Sequence, residues 1–324
     1  MTGETPKILI HSSEPGPLLA RMQDVAPDAT VEASDKYDGL DTLVGSFRPD
    51  VVYSICFAGR AGFPREALLG EDGPEWISVG GSGADHLTPW NPERVTVTNS
   101  AGVASAMMAE YTFGALLHFT LDIDGLAADR SARHWDGERL MSPLKGKTLL
   151  IVGLGNTGQA IAARARAFGL HVLGTRARPA PMENVDEVHA ADALPDLWGR
   201  ADFIAVCTPL LPSTRHLVDA RAFGAMKPDA LLVDVSRGGV VQPDALIDAM
   251  RNRVIAGAAL DVFETEPLPT DSPLWELDNT IISPHCSAVF EGWKMASFEL
   301  FLENLARWQA GETLVNIVDP ERGY

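Results

Sequence analysis

The chain has 324 residues, enough for about two domains that each bury a core, with 46% hydrophobic residues and a net charge of −18. No apolar run approaches the ~20 residues that a membrane helix needs, and the acidity excludes the basic stripe that nucleic acid requires. Residues 1–6 carry no basic or apolar leader, and Cys56, Cys207 and Cys286 show no disulfide or metal spacing, so a reduced, cytoplasmic setting is expected.

In chain order, residues 7–11 read as a strand and 17–25 as the helix after it. A second strand covers 51–55 and leads into a Gly/Arg loop, 58–62, and then a helix opened by Pro64, a favoured first-turn residue. A third strand, 76–79, runs into Gly80-Gly81-Ser82-Gly83-Ala84-Asp85-His86. No long helix follows, so this loop reads either as a nest of amides for a small carboxylate or as a permissive turn. Residues 95–98 make a short strand, and Asn99-Ser100 are placed to cap a helix over 103–120 whose apolar surface exceeds one buried face. The excess suits a subunit interface. A polar connector over 122–145 follows, in which Trp135 reads either as a residue approaching the site or, more in keeping with its type, as a hydrophobic anchor.

The centre of the chain is the stretch 147–178. Residues 148–152 form an unbroken apolar run, the mark of a strand buried on both faces of a parallel sheet. Gly153, Gly155 and Gly158 follow at G-x-G-x-x-G spacing, then an Ala-rich helix over 159–168, a stop at Gly169, and a strand over 171–174. Strand, motif and helix in one βαβ unit make a dinucleotide-binding turn. Gly153 allows the tight bend, Gly155 lets the backbone approach a pyrophosphate, and Gly158 lets helix and strand pack closely. The helix N-terminus offers amides and partial positive charge to the phosphates. After the second strand, where a carboxylate would take the ribose 2′-OH of NAD, stand Thr175, Arg176, Ala177 and Arg178. Two guanidiniums there suit a 2′-phosphate, so NADP(H) is the expected cofactor and NAD(H) the alternative.

Further strands over 203–206, 230–234, 255–260 and 280–282 end in Cys207-Thr208, Val235-Ser236-Arg237, Asp261 and Ser283-Pro284-His285, with helices over 219–225 and 243–251. Polar residues thus recur at the carboxyl ends of a parallel sheet, where such sheets bind ligands. A last helix, 290–310, is expected to pack back on the first half. The fold class is α/β with two Rossmann-like, doubly wound domains. The smaller, substrate-binding one is discontinuous (1–100 plus 290–324), and the dinucleotide-binding one spans 101–289.

With these motifs in view, the chain resembles the D-isomer-specific 2-hydroxyacid dehydrogenases over about 76–288, in particular their NADP(H)-dependent glyoxylate/hydroxypyruvate reductase branch. The resemblance rests on Gly-Leu-Gly-Asn-Thr-Gly, on Met226-Lys227-Pro228 through Ser236-Arg237-Gly238-Gly239, on Leu260 through Leu268, and on Ser283-Pro284-His285. It implies a catalytic set of Arg237, Glu266 and His285. Around the cofactor it places Asn156, Thr157, Thr208, Val235, Ser236, Asp261, His285 and Ser287, with Arg176 at the adenosine ribose. The substrate carboxylate falls to Gly81, Ser82 and Gly83, with Arg60 from the preceding loop, alongside Arg237 and His285. The chain departs from the family at Arg176, where an acid is usual, and at Gln242.

The residue types fit the reaction. Reduction of a 2-keto acid delivers hydride to carbon and a proton to oxygen, and histidine donates near neutral pH. Glu266, bonded to the far ring nitrogen, would stabilise the imidazolium. Arg237 can pair with a carboxylate and also donate to the keto oxygen. The resemblance implies a homodimer reducing a small 2-keto acid to the D-2-hydroxy acid, with no metal, nucleic acid or membrane partner. Two alternatives stand beside it: an NAD-linked dehydrogenase of another hydroxy acid, and a dinucleotide-sensing, corepressor-like interaction protein.

Overall fold

The computed structural model describes residues 5–55 and 63–321, which form two compact units, 1–103 with 290–324 and 104–289. Arg60, Cys56 and the 58–62 loop lie outside the described residues.

The first unit alternates β1 (Lys7–His11), α1 (Pro15–Val25), β2 (Thr30–Ser34), α2 (Leu40–Phe47), β3 (Val51–Ser54), α3 (Arg65–Leu69), β4 (Trp76–Val79) and β5 (Thr96–Asn99). All strands pair in parallel in the order β2-β1-β3-β4-β5. Alternation along the strands gives each face its own core: Leu9, Val52 and Ile77 on one, Ile8, Ile10, Tyr53 and Trp76 on the other. The second face is closed by the chain's last helix, Trp293–Ala310, through Phe298 and Phe301, whose rings lie 5.1 and 5.0 Å from that of Tyr53. Ser297 of this helix donates to Gly80 O at 2.8 Å and accepts from the Tyr53 hydroxyl at 3.0 Å, which fixes the start of the Gly80–Gly83 loop.

The second unit opens with α4 (Ser105–Thr120) and α5 (Ile123–Ala132). It continues through β6 (Thr148–Val152), α6 (Asn156–Ala167), β7 (His171–Thr175), β8 (Glu187–His189), α7 (Leu194–Leu197), β9 (Phe203–Val206), α8 (Ala220–Ala225), β10 (Leu231–Asp234), α9 (Pro243–Arg251), β11 (Gly257–Leu260) and β12 (Thr280–Ile282). Its seven parallel strands run β12-β11-β10-β9-β6-β7-β8, so the order reverses between β6 and β9. Leu150, Val152, Ile204 and Leu232 face one side of this sheet; Leu149, Ile151, Ala205 and Val233 face the other. Burial on both faces is why the central strands read as continuous apolar runs.

The structure departs from the expected elements in several places. Helix α4 begins at Ser105, not 103, and no side chain caps it. Asn99 Oδ1 instead accepts from Ala101 N at 3.1 Å, closing the turn that leads to the helix. The polar connector contains α5, capped by Asp122, which accepts from Gly125 N at 3.2 Å; no residue of α5 is buried, so it has no amphipathic stripe to read. Trp135 is 94% exposed and anchors nothing among the described residues. Among the described residues no helix is long and apolar enough to cross a membrane, and no group of three or more His, Cys, Asp or Glu side chains is placed to hold a metal ion.

Candidate active site

At the strand-order reversal of the second unit, β6 and β9 end side by side. Gly153 follows β6 with φ +105°, and a Cβ there would stand 3.0 Å from the Thr208 backbone. Both facts demand glycine. Cys207 donates its thiol to Gly153 O at 3.0 Å, tying the two strand ends together; burial, with the charge of Asp234 behind it, pushes that thiol up to about 12 and keeps it inert. Gly158 lies against the Gly153 carbonyl, so helix and turn touch through backbone alone.

Gly155 is exposed and a Cβ there would meet nothing within 4 Å. Helix α6 starts beside it with no side-chain cap and no acidic residue in its first turn. Its leading amides are thus left for an anion. Asn156 is exposed in that turn, whereas the Thr157 hydroxyl turns to Met108 Sδ at 3.5 Å. Beyond β7, Arg176 is half-buried with Nη1 3.1 Å from Met182 Sδ, and its amide donates to His189 O at 3.1 Å. Arg178 is exposed. These features fit a dinucleotide: an open glycine, uncapped helix amides, and a guanidinium held, among the described residues, only by a thioether, a weak acceptor.

The neighbouring strand ends carry the chemical groups. After β10, Val235 and Ser236 are buried, and Asp234 Oδ1 accepts from both Ser236 N at 3.0 Å and Ser236 Oγ at 2.5 Å. Burial pushes the Asp234 carboxyl up to about 7; the Ser236 bonds oppose this, the Asp261 charge adds to it, and Arg237 works against it. Arg237 is half-buried and donates to Ser236 O at 2.8 Å. A Cβ on Gly238 would strike the backbone of Phe263 and Glu264, so this turn rests directly on the loop that leads to Glu266.

That loop and β12 bring the acid–base pair together. His285 Nδ1 lies 2.8 Å from Glu266 Oε2, and Glu266 Oε1 accepts from Phe263 N at 2.9 Å. Burial alone would raise Glu266, but its bonds to His285 and Phe263 and the charges of His285 and Arg237 hold it below the usual carboxylate range. Both side chains of the pair stay about one-third exposed, at 34% and 36%, so a ligand can reach them. His285 itself sits in the left-handed region at φ +52°.

Asp261, after β11, is buried with its carboxylate largely satisfied. Oδ1 accepts from Ser283 Oγ at 2.6 Å and Cys286 N at 2.8 Å, and Oδ2 from Ser287 N at 2.9 Å. Its visible work is to hold the turn that carries His285, and Ser287 joins that turn through its amide. The residues that sequence reasoning missed are Asp234, Ser283 and Tyr111, whose hydroxyl lies 2.7 Å from Ser283 Oγ. Asp234 and Ser283 stand at strand ends that were already marked; Tyr111 gave no signal. In the first unit, Gly81 and Ser82 are exposed, and the amides of Gly81, Ser82 and Gly83 have no hydrogen-bond partner among the described residues. The Ser82 carbonyl is held by Asn99 Nδ2 at 2.7 Å.

A doubly wound sheet with a glycine turn at its reversal point and an Arg, Glu and His set at the ends of later strands is the construction of a nicotinamide-dependent oxidoreductase. The chain belongs to the D-isomer specific 2-hydroxyacid dehydrogenase family, whose NAD binding domain model matches residues 113–287. It is 31% identical over 326 residues to a glyoxylate reductase of Thermofilum pendens, covering 98% of this chain and 95% of that protein. A crystal structure of a D-isomer specific 2-hydroxyacid dehydrogenase family protein from Aeromonas salmonicida matches 98% of this chain and all of its own, with a TM-score of 0.87 and 29% identity. A D-isomer specific 2-hydroxyacid dehydrogenase from Xanthobacter autotrophicus, in complex with NADPH and MES, matches 99% of this chain and all of its own, with a TM-score of 0.82 and 27% identity. The chain is therefore an NAD(P)-dependent oxidoreductase of the 2-hydroxy acid and 2-keto acid class.

Proposed function

We propose that the protein reduces a small 2-keto acid, of the size of glyoxylate or hydroxypyruvate, to the D-2-hydroxy acid, with NADPH preferred over NADH. The observation that carries this reading is the 2.8 Å His285–Glu266 pair, open to ligand, with the Arg237 charge acting on the same carboxylate. When bound, the cofactor supplies the hydride that goes to the carbonyl carbon.

The chain's own residues manage the rest. Glu266 accepts from His285 Nδ1, which fixes the ring and leaves Nε2 to carry the proton to the developing alkoxide. Arg237 neutralises the substrate carboxylate and donates to the keto oxygen, which a planar guanidinium can do at once. Gly81, Ser82 and Gly83 offer amides to a carboxylate, and Arg60 is a candidate for the same anion. The free lone pair of Asp261 Oδ2 suits a carboxamide N–H, with Thr208, Val235, Ser236 and Ser287 around it.

For the cofactor, Arg176 supports NADP(H): a phosphate oxygen is a far better acceptor than the Met182 thioether, and the Xanthobacter relative was solved with NADPH. In this reading residues 101–289 are the dinucleotide-binding domain, and 1–100 with 290–324 the substrate-binding domain. The enzyme is a cytoplasmic homodimer. The free thiols of Cys207 and Cys286 support the compartment, and the exposed Ile123, Leu126, Trp135 and Leu140 support a second subunit.

The test is oxidation of NADPH and of NADH, followed with glyoxylate, hydroxypyruvate, pyruvate and a bulky aromatic keto acid. The expected result is fastest turnover with the small acids and NADPH. Inactivity with all four overturns the substrate assignment, and equal use of both cofactors overturns the preference.

A further inference from the structure

The turn that carries His285 is held from behind by a chain of hydroxyl groups that begins on a helix far away in sequence. Tyr111 of α4 places its hydroxyl 2.7 Å from Ser283 Oγ, and Ser283 Oγ lies 2.6 Å from Asp261 Oδ1. The direction of the bonds follows from counting protons. A carboxylate only accepts, so the single Ser283 proton goes to Asp261, and Ser283 must accept from Tyr111. Tyr111 is a ready donor: burial is the main reason its hydroxyl is pushed up to about 12, with the Ser283 bond opposing and the charges of Asp261, Cys286 and Asp234 adding.

The far end of this chain grips the catalytic turn. Asp261 takes the amides of Cys286 and Ser287, the two residues directly after His285. His285 has the left-handed φ of +52°, a conformation that persists only when its surroundings impose it. Few groups are placed to do so. The amide of His285 reaches Ser283 O at 3.0 Å, the Cys286 thiol also meets the Ser283 hydroxyl, and Asp261 holds the amides of residues 286 and 287.

We propose that Tyr111 is a positioning residue: through Ser283 and Asp261 it sets the turn that presents His285 to Glu266. Helix α4 thereby acts on the proton donor at one remove, through Ser283 and Asp261. The kinetic consequence rests on the proposed reductase activity, whereas the structural one does not.

The experiment uses the full-length protein and the variants Tyr111→Phe, Ser283→Ala and the double variant. The ring nitrogens of His285 are followed by long-range proton–nitrogen NMR without ligand, their signals assigned by loss in His285→Gln. The expected result is a displaced His285 signal in both single variants. In the reductase assay kcat should fall about tenfold in each, with KM for the keto acid moved less than about twofold. Because both variants break one chain, the double variant should lose no more than Ser283→Ala alone. A wild-type His285 signal and kcat in Tyr111→Phe overturn the proposal, and so do losses that multiply in the double variant. If Tyr111→Phe does not fold, the His285 signal of Ser283→Ala decides. If the wild-type enzyme reduces none of the keto acids, the reductase reading fails while the NMR comparison still judges the proposal.

Discussion

The imidazole of His285 meets the carboxylate of Glu266 at 2.8 Å through Nδ1, while the other oxygen of Glu266 is fixed by the Phe263 amide at 2.9 Å. One oxygen is thus spent on aligning the acid and one on the ring. His285→Ala should lower kcat by about 10²- to 10⁴-fold, the usual worth of a general acid. Glu266→Gln should cost less, because the ring survives but loses its charged acceptor. Stability gives a second reading. A carboxyl held below its ordinary value contributes stability above about pH 4.5, and that contribution disappears as pH falls through the folded-state value. The stability gap between wild type and Glu266→Gln, measured by urea unfolding, should therefore be present at pH 7 and shrink as pH falls below the ordinary carboxylate range. A gap that widens in acid contradicts this account of Glu266.

Two glycines of one motif should respond oppositely to alanine. Gly153 combines φ +105° with a Cβ position 3.0 Å from the Thr208 backbone, so Gly153→Ala should destabilise the protein by about 1–3 kcal/mol. At Gly155 the backbone has negative φ and open space, so Gly155→Ala should unfold within about 0.5 kcal/mol of wild type. Its cost should appear in cofactor affinity instead, since the methyl group occupies the surface offered to the pyrophosphate. Denaturation curves beside NADPH titrations separate the two effects.

What the sequence made legible follows from burial. The central strands of both sheets are covered on two sides, so their apolar runs announce them, and the polar residues at their ends mark the site. Several elements that bury nothing were silent for the converse reason. Strand β2, Thr-Val-Glu-Ala-Ser, has no buried residue, and the same is true of β8 and α5. Helix α2 enters from Gly39 in the left-handed region and buries only Leu40 and Val44, too short a stripe to read. Within the site, Glu266 and His285 could be named because each sits in a local motif. Tyr111 could not, because its partner is 172 residues away and only the fold joins them.

Arg176 should govern the choice of cofactor. Among the described residues its guanidinium has only the Met182 thioether at 3.1 Å, so a 2′-phosphate would give it a far stronger acceptor. Arg176→Ala should raise KM for NADPH by about tenfold with little change for NADH, the scale of one charge-assisted bond. Arg176→Asp should go further and favour NADH. An unchanged ratio of kcat/KM for the two cofactors in Arg176→Asp would sink the phosphate-clamp reading.

Asp234 supplies a test that needs no ligand. Its carboxyl is buried at the end of β10 beside Asp261 and is pushed up to about 7 from an ordinary 3.8, chiefly by burial. The folded state therefore holds a proton that the unfolded state releases between those values. With more protons bound in the folded form, stability contributed by this group falls as pH rises from about 4 to about 7 and is flat beyond. Three pH units correspond to a penalty on the order of 4 kcal/mol at neutral pH. Asp234→Asn keeps an acceptor for Ser236 but carries no charge to desolvate, so its stability relative to wild type should rise across that interval. Urea unfolding at pH 4.5, 6 and 7.5 measures it. A difference independent of pH would mean that Asp234 is already ionised at the low end, held so by Ser236 and Arg237 against its burial.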